Sequence, residues 1–112
     1  RHRTVAVPVR RLDDLLAATP LTGRLVLKID VEGAELGVLR GAEAIIRRRR
    51  PPLLIEANDR ALRAAGDSRA TLFAELRQLG YRSYATTDAP ERLVSLDEPT
   101  AERDLIVLPG AA

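Results

Sequence analysis

The segment Leu25-Val26-Leu27-Lys28-Ile29-Asp30-Val31 constrains the fold more than any other. It is nearly continuous apolar sequence, as expected of a strand covered on both faces. Lys28 is the exception, and it needs either a carboxylate partner or an exit to solvent. A covered strand needs helices packed on it, so strands and helices should alternate along the chain. They do. Gly33 ends the strand, and Leu36, Leu39, Ala42, Ile45 and Ile46 then recur at helical spacing. Gly37 and Gly41 each cost about 1 kcal/mol against alanine inside a helix, which predicts a break near Gly41 and two short helices.

Pro51 and Pro52 stop that pattern before a second buried strand, Leu53-Leu54-Ile55-Glu56-Ala57. Asp67 or Ser68 can cap a helix through Leu72, Phe73, Leu76 and Leu79, with Gly80 as its C-terminal stop. Tyr81 to Ala85 is a third strand. Leu105 to Leu108 is a fourth, reached through a Pro-containing stretch without a helix, so it is expected to run antiparallel. Upstream, Val5 to Val9 is extended, with Pro8 keeping it at an edge or in a connection. Arg11 to Ala18 is expected to be helical. The predicted fold is α/β: a mostly parallel sheet, wound by βαβ units, with a late antiparallel strand and helices on both faces.

With 112 residues the chain has room for one small domain. Cysteine is absent, which excludes disulfides, thiolate metal sites and thiol nucleophiles. No apolar run approaches the roughly 20 residues of a membrane span, and no signal-peptide pattern opens the chain. A cytoplasmic protein with no membrane partner is expected. Arg47-Arg48-Arg49-Arg50 invites a nucleic-acid interpretation, but the run closes a helix, where cations complement the dipole. No aromatic residue interleaves with it to stack on bases. A solvated helix end, with no nucleic-acid partner, is the expectation.

Acids gather where chemistry is expected. In wound α/β sheets, ligands sit beyond the carboxyl ends of the strands. Asp30 and Glu32 follow the first buried strand there, and Glu56 follows the second. Carboxylates converging at one edge repel unless each finds a partner, a proton or a metal. Ordinary roles compete with a functional one: Asp30 or Glu32 can cap the following helix, and Glu56 can pair with Lys28 or an arginine. Glu35, in the first helical turn, is read as a dipole partner. His2 lies in the N-terminal stretch and is assigned no catalytic role.

The run Leu27-Lys28-Ile29-Asp30-Val31-Glu32-Gly33-Ala34-Glu35-Leu36, with Val38-Leu39-Arg40-Gly41-Ala42 after it, resembles the signature stretch of the FkbM family of methyltransferases. Leu12-Asp13-Asp14-Leu15-Leu16 is similar to the family's leucine–aspartate helix start. Pro52-Leu53-Leu54-Ile55-Glu56 is similar to its next strand, and Leu79-Gly80-Tyr81 to its later helix-to-strand joint. Gly37 departs from the charged or polar residue usual at its position.

The resemblance implies the C-terminal, substrate-side half of a Rossmann-like domain that transfers a methyl group from S-adenosylmethionine, usually to oxygen. On that basis residues 1–112 form a partial methyltransferase domain, and the cofactor is held mainly by an N-terminal half not contained in this sequence. No glycine-rich strand-to-helix turn of the cofactor-binding kind occurs here. Asp30 is the expected catalytic base. Glu32 and Glu56 are expected to bind the acceptor, a small molecule or glycan presenting a hydroxyl, and no metal is assigned. Alone, the fragment is expected to be inactive and to self-associate through the unpaired sheet edge. The alternative is a non-catalytic, degenerate α/β module that binds a partner or only folds.

Overall fold

A computed structural model describes residues 2–98, 100 and 102–110. The helices are α1 (Leu12–Leu16), α2 (Glu35–Gly41), α3 (Glu43–Arg49), α4 (Asp59–Ala64) and α5 (Arg69–Gln78). The strands are β1 (Leu27–Ile29), β2 (Leu53–Glu56), β3 (Tyr81–Thr86), β4 (Ala89–Ser95) and β5 (Asp104–Pro109). They form one sheet in the order β1-β2-β5-β3-β4.

The sheet corrects the expectation of mostly parallel pairing. Only β1 and β2 pair in parallel; β2–β5, β5–β3 and β3–β4 are antiparallel. The cause is an insertion. β2 and β3 both run opposite to β5, so β1, β2 and β3 share one direction as βαβ winding requires. The last strand slots between β2 and β3 and replaces a parallel contact with two antiparallel ones. The late antiparallel strand is thus present, and it sits inside the sheet.

The second correction concerns coverage. Leu53, Ile55, Leu105, Val107 and Tyr84 are buried on one face, in a single core with Leu39, Ile45, Ile46, Leu62, Leu72 and Leu76 from the helices. Lys28 and Leu54 alternate to the opposite face and are exposed, Leu54 at 38%. Among the described residues the helices therefore line one face, and the arrangement is two-layered. β1 lies at the sheet margin with only three residues, and Val26 and Val31 beside it are 53% and 40% exposed. Lys28 takes the exit to solvent.

Helix ends follow local chemistry. The predicted break falls at Ala42, which separates α2 from α3. Ala42 offers no side-chain cap, and Asp13 in α1 supplies one from a distance, accepting from the N–H groups of Ala44 (2.9 Å) and Ile45 (3.0 Å). Asn58 caps α4 and Ser68 caps α5. The arginine run that ends α3 is tied to its own chain: Arg49 donates to the carbonyls of Leu21 and Gly23, and Arg50 to that of Gly110. Nearby, the Tyr81 hydroxyl donates to the Pro51 carbonyl at 2.6 Å, and burial pushes its pKa up. Val5 to Val9 is an exposed connection without strand pairing. Among the described residues, no helix is long and apolar enough to cross a membrane.

Candidate functional site

Asp30 follows the last residue of β1, and parallel pairing carries it to the end where Glu56 closes β2. Because β5 runs the other way, its first residue, Asp104, reaches that same end and stands opposite Glu56 in register. Past Asp30 the chain leaves the strand direction. Glu32 adopts a left-handed φ of 51°, followed by Gly33 at 102°. Without that turn, each further residue would move the chain about 3.3 Å along the strand and away from Glu56. With it, one carboxylate oxygen each from Asp30, Glu32 and Glu56 lies within 4.8 Å of the other two. The three acids picked from the sequence share one rim.

The rim borders a cleft of about 250 Å³, edged by Lys28, Asp30, Glu56, Thr87 and Asp104 over apolar residues that include Leu54 and Leu105. A hydrogen bond with Asp30, then the Asp30 charge, raises the Glu56 carboxyl above its ordinary value; partial burial, Asp104 and Glu32 add to the effect. Among the described residues, no ion pair reaches Asp30, Glu32, Glu56 or Asp104. The ordinary roles fail for these acids. The N-cap of α2 is Ala34, with no side-chain cap, and Lys28 does not pair with Glu56.

Glu35 does something the sequence did not suggest. It is only 1% exposed. Its two oxygens accept from the backbone N–H groups of Val31 and Gly33, each at 3.0 Å. Hydrogen bonds to a charged acceptor contribute about 1.5–3 kcal/mol each. That is enough to hold a left-handed glutamate costing roughly 1–2 kcal/mol. Gly33 is pinned from its other side: a Cβ there would overlap the Ala61 carbonyl, with the carbonyl carbon at 2.8 Å.

The same contact bears on S-adenosylmethionine. A glycine turn that cradles a nucleotide leaves its backbone open to the ligand, whereas Gly33 packs against α4. Gly33 is therefore closed to a ligand on that side. Hard oxygen ligands suit magnesium or calcium, but three acids alone do not make a metal site.

Sequence reasoning missed Asp104 and Thr87. A signal for Asp104 existed, since an antiparallel strand begins where its parallel neighbours end, and Asp104 immediately precedes the apolar run. Thr87 had none, because its place depends on the β3–β4 turn.

Comparison with curated proteins and with solved structures gave no match. The family model described as the methyltransferase FkbM domain matches residues 1–83. That span holds Asp30, Glu32, Glu35 and Glu56 and ends within β3, leaving Asp104 outside it. With most of its length matched, and with the signature stretch at the acidic rim, the chain belongs to the FkbM methyltransferase family.

Proposed function

We propose that this chain forms the acceptor side of an S-adenosylmethionine-dependent O-methyltransferase site. The observation that carries it is the convergence of Asp30, Glu32 and Glu56 within 4.8 Å beside an open cleft. When bound, S-adenosylmethionine supplies an electrophilic methyl group; the part assigned to this chain is the handling of the other reactant. A hydroxyl must be aligned and relieved of its proton to act as a nucleophile. Asp30 accepts that proton. Glu32 and Glu56 hold the acceptor by its remaining hydroxyls, which suits a polyhydroxylated small molecule or a glycan. The cofactor is held by a part of the domain outside this chain, so the chain alone is inactive. β1 presents its outer edge to a further strand, from that part of the domain or from a second copy. The site operates in the cytoplasm.

The rival reading is a non-catalytic α/β module. The two separate on Asp30→Asn in the complete enzyme. For a catalytic rim, turnover falls by roughly 10²-fold or more, with cofactor affinity within about twofold by calorimetry, since the base does not hold the cofactor. Unchanged turnover in the variant removes Asp30 from the mechanism. A wild-type enzyme without methyl transfer to any hydroxyl acceptor favours the module.

A further inference from the structure

Glu35 lies in the first turn of α2, where it can act as a partner of the helix dipole, and it does more than that role requires. Such a partner needs only to lie near the first turn, and it can stay in water. Glu35 is buried, and both its oxygens are used by N–H groups that precede the helix, those of Val31 and Gly33. Those two groups bracket Glu32, the residue in left-handed conformation, and Val31 directly follows Asp30.

The turn is also referenced to the neighbouring strand. Gly33 abuts the carbonyl of Ala61 in α4, and α4 is capped by Asn58, two residues after Glu56. One contact thus fixes the turn against the segment that carries Glu56, and the other fixes its internal shape.

We propose that Glu35 is a positioning residue: its buried carboxylate holds the 31–33 turn in the shape that sets Asp30 and Glu32 against Glu56. Its bearing on methyl transfer rests on the reading of the rim as the acceptor site, but the clamp stands on geometry. Glu35 touches no reacting atom, and its effect is exerted through Asp30 and Glu32. A loosened turn lets those two acids separate from Glu56, which lowers the repulsion between them and spoils the alignment of an acceptor.

The test uses this chain and Glu35→Gln. Glutamine keeps the size but offers one acceptor oxygen in place of two, so one of the two N–H groups loses its partner. Carboxyl titrations are followed by carbon-detected NMR in both proteins, and backbone amide exchange is measured in the wild type. In the wild type, the Val31 and Gly33 amides should exchange at least about 10-fold more slowly than that of Glu32, which makes no hydrogen bond among the described residues. In Glu35→Gln the Glu56 titration should fall back toward its ordinary value while the far-UV spectrum is kept. A folded variant in which Glu56 titrates as in the wild type overturns the proposal. So does a wild type whose Val31 and Gly33 amides exchange as fast as that of Glu32, and this second result decides the matter alone if the variant does not fold. Neither readout involves methyl transfer. An Asp30→Asn enzyme with full turnover would sink the proposed function and leave the clamp standing.

Discussion

The two ends of the sheet handle charge in opposite ways. At the end where β2 begins, three of the four arginines that close α3, Arg47, Arg49 and Arg50, are bonded within the fold. Arg47 reaches the Gln78 carbonyl at 3.4 Å and pairs with Glu43 at 3.0 Å; Arg49 holds the Leu21 and Gly23 carbonyls, and Arg50 holds Gly110. At the end where β2 finishes, Asp30, Glu32, Glu56 and Asp104 meet and make no ion pair among the described residues, although Lys28 edges the same cleft. The arginine run is the denser feature in the sequence, but Arg49 and Arg50 use their guanidinium groups to fasten loops to α3. The acids are spread along the chain and are gathered only by the strand ends. Their raised proton affinity at Glu56 is the mark of charge left over. Leftover charge at a cleft is available to a ligand, whereas charge already used in packing is not.

The largest effect that would break this contrast lies at the turn. Gly33 and Gly23 both have positive φ, 102° and 75°, at the acidic and arginine ends respectively. An alanine at Gly23 meets nothing within 4 Å, so Gly23→Ala should lose only the backbone preference, about 1 kcal/mol. At Gly33 the same backbone cost adds to overlap with the Ala61 carbonyl, which typically costs about 1–3 kcal/mol. Gly33→Ala should therefore lose about 3 kcal/mol in urea unfolding and should disturb the Asp30 and Glu32 resonances. Equal losses at the two glycines would mean that the acidic turn is not held more tightly than an ordinary loop.

Much of this was legible in the residues, and the rest was hidden for physical reasons. A break near Gly41, a cap at Asp67 or Ser68 and the direction of β5 followed from glycine placement, capping chemistry and the lack of a helix before the last apolar run; the structure puts the break at Ala42 and the cap at Ser68. β4 was not legible: Pro90, Glu91 and Arg92 sit in an exposed margin strand, so alternation has no buried half to reveal. α4 was missed because six residues with one buried leucine are too few to show helical spacing. Strand order was out of reach as well. Where β5 inserts is decided by packing between elements far apart in sequence, and no local periodicity encodes it. At the site, the three acids were legible because strand ends are a general rule, whereas the buried role of Glu35 depends on a left-handed turn that its charge does not announce.

A smaller effect sharpens the comparison by testing an acid that the fold does use. Asp13 has a side chain 14% exposed and caps α3 from another helix, through Ala44 and Ile45. Loss of a capping carboxylate costs about 1–2 kcal/mol, so Asp13→Ala should lower the urea midpoint accordingly. Asp14 beside it is exposed, and Asp14→Ala should stay within about 0.5 kcal/mol of the wild type. If both substitutions behaved alike, the cap would be inert, and the distinction between used and leftover acids would lose its reference.

The smallest effect concerns a leftover acid and carries the opposite sign. Because the folded state raises the Glu56 carboxyl above its ordinary value of 4.5, the folded chain binds more protons than the unfolded chain between those two values. Stability contributed by this group is therefore greatest at low pH and declines as pH rises through that window. Glu56→Gln removes the repulsion without removing the side chain. The variant should match the wild type below about pH 4.5 and gain a slight advantage above the raised value, read as a small upward shift of the urea midpoint at neutral pH. Asp13→Ala loses stability because its carboxylate is satisfied, and Glu56→Gln should gain it because the rim carboxylates are not. A variant less stable than the wild type at neutral pH, or a difference that does not change with pH, would show that the rim acids are held by favourable contacts, and the contrast between the two ends of the sheet would fail.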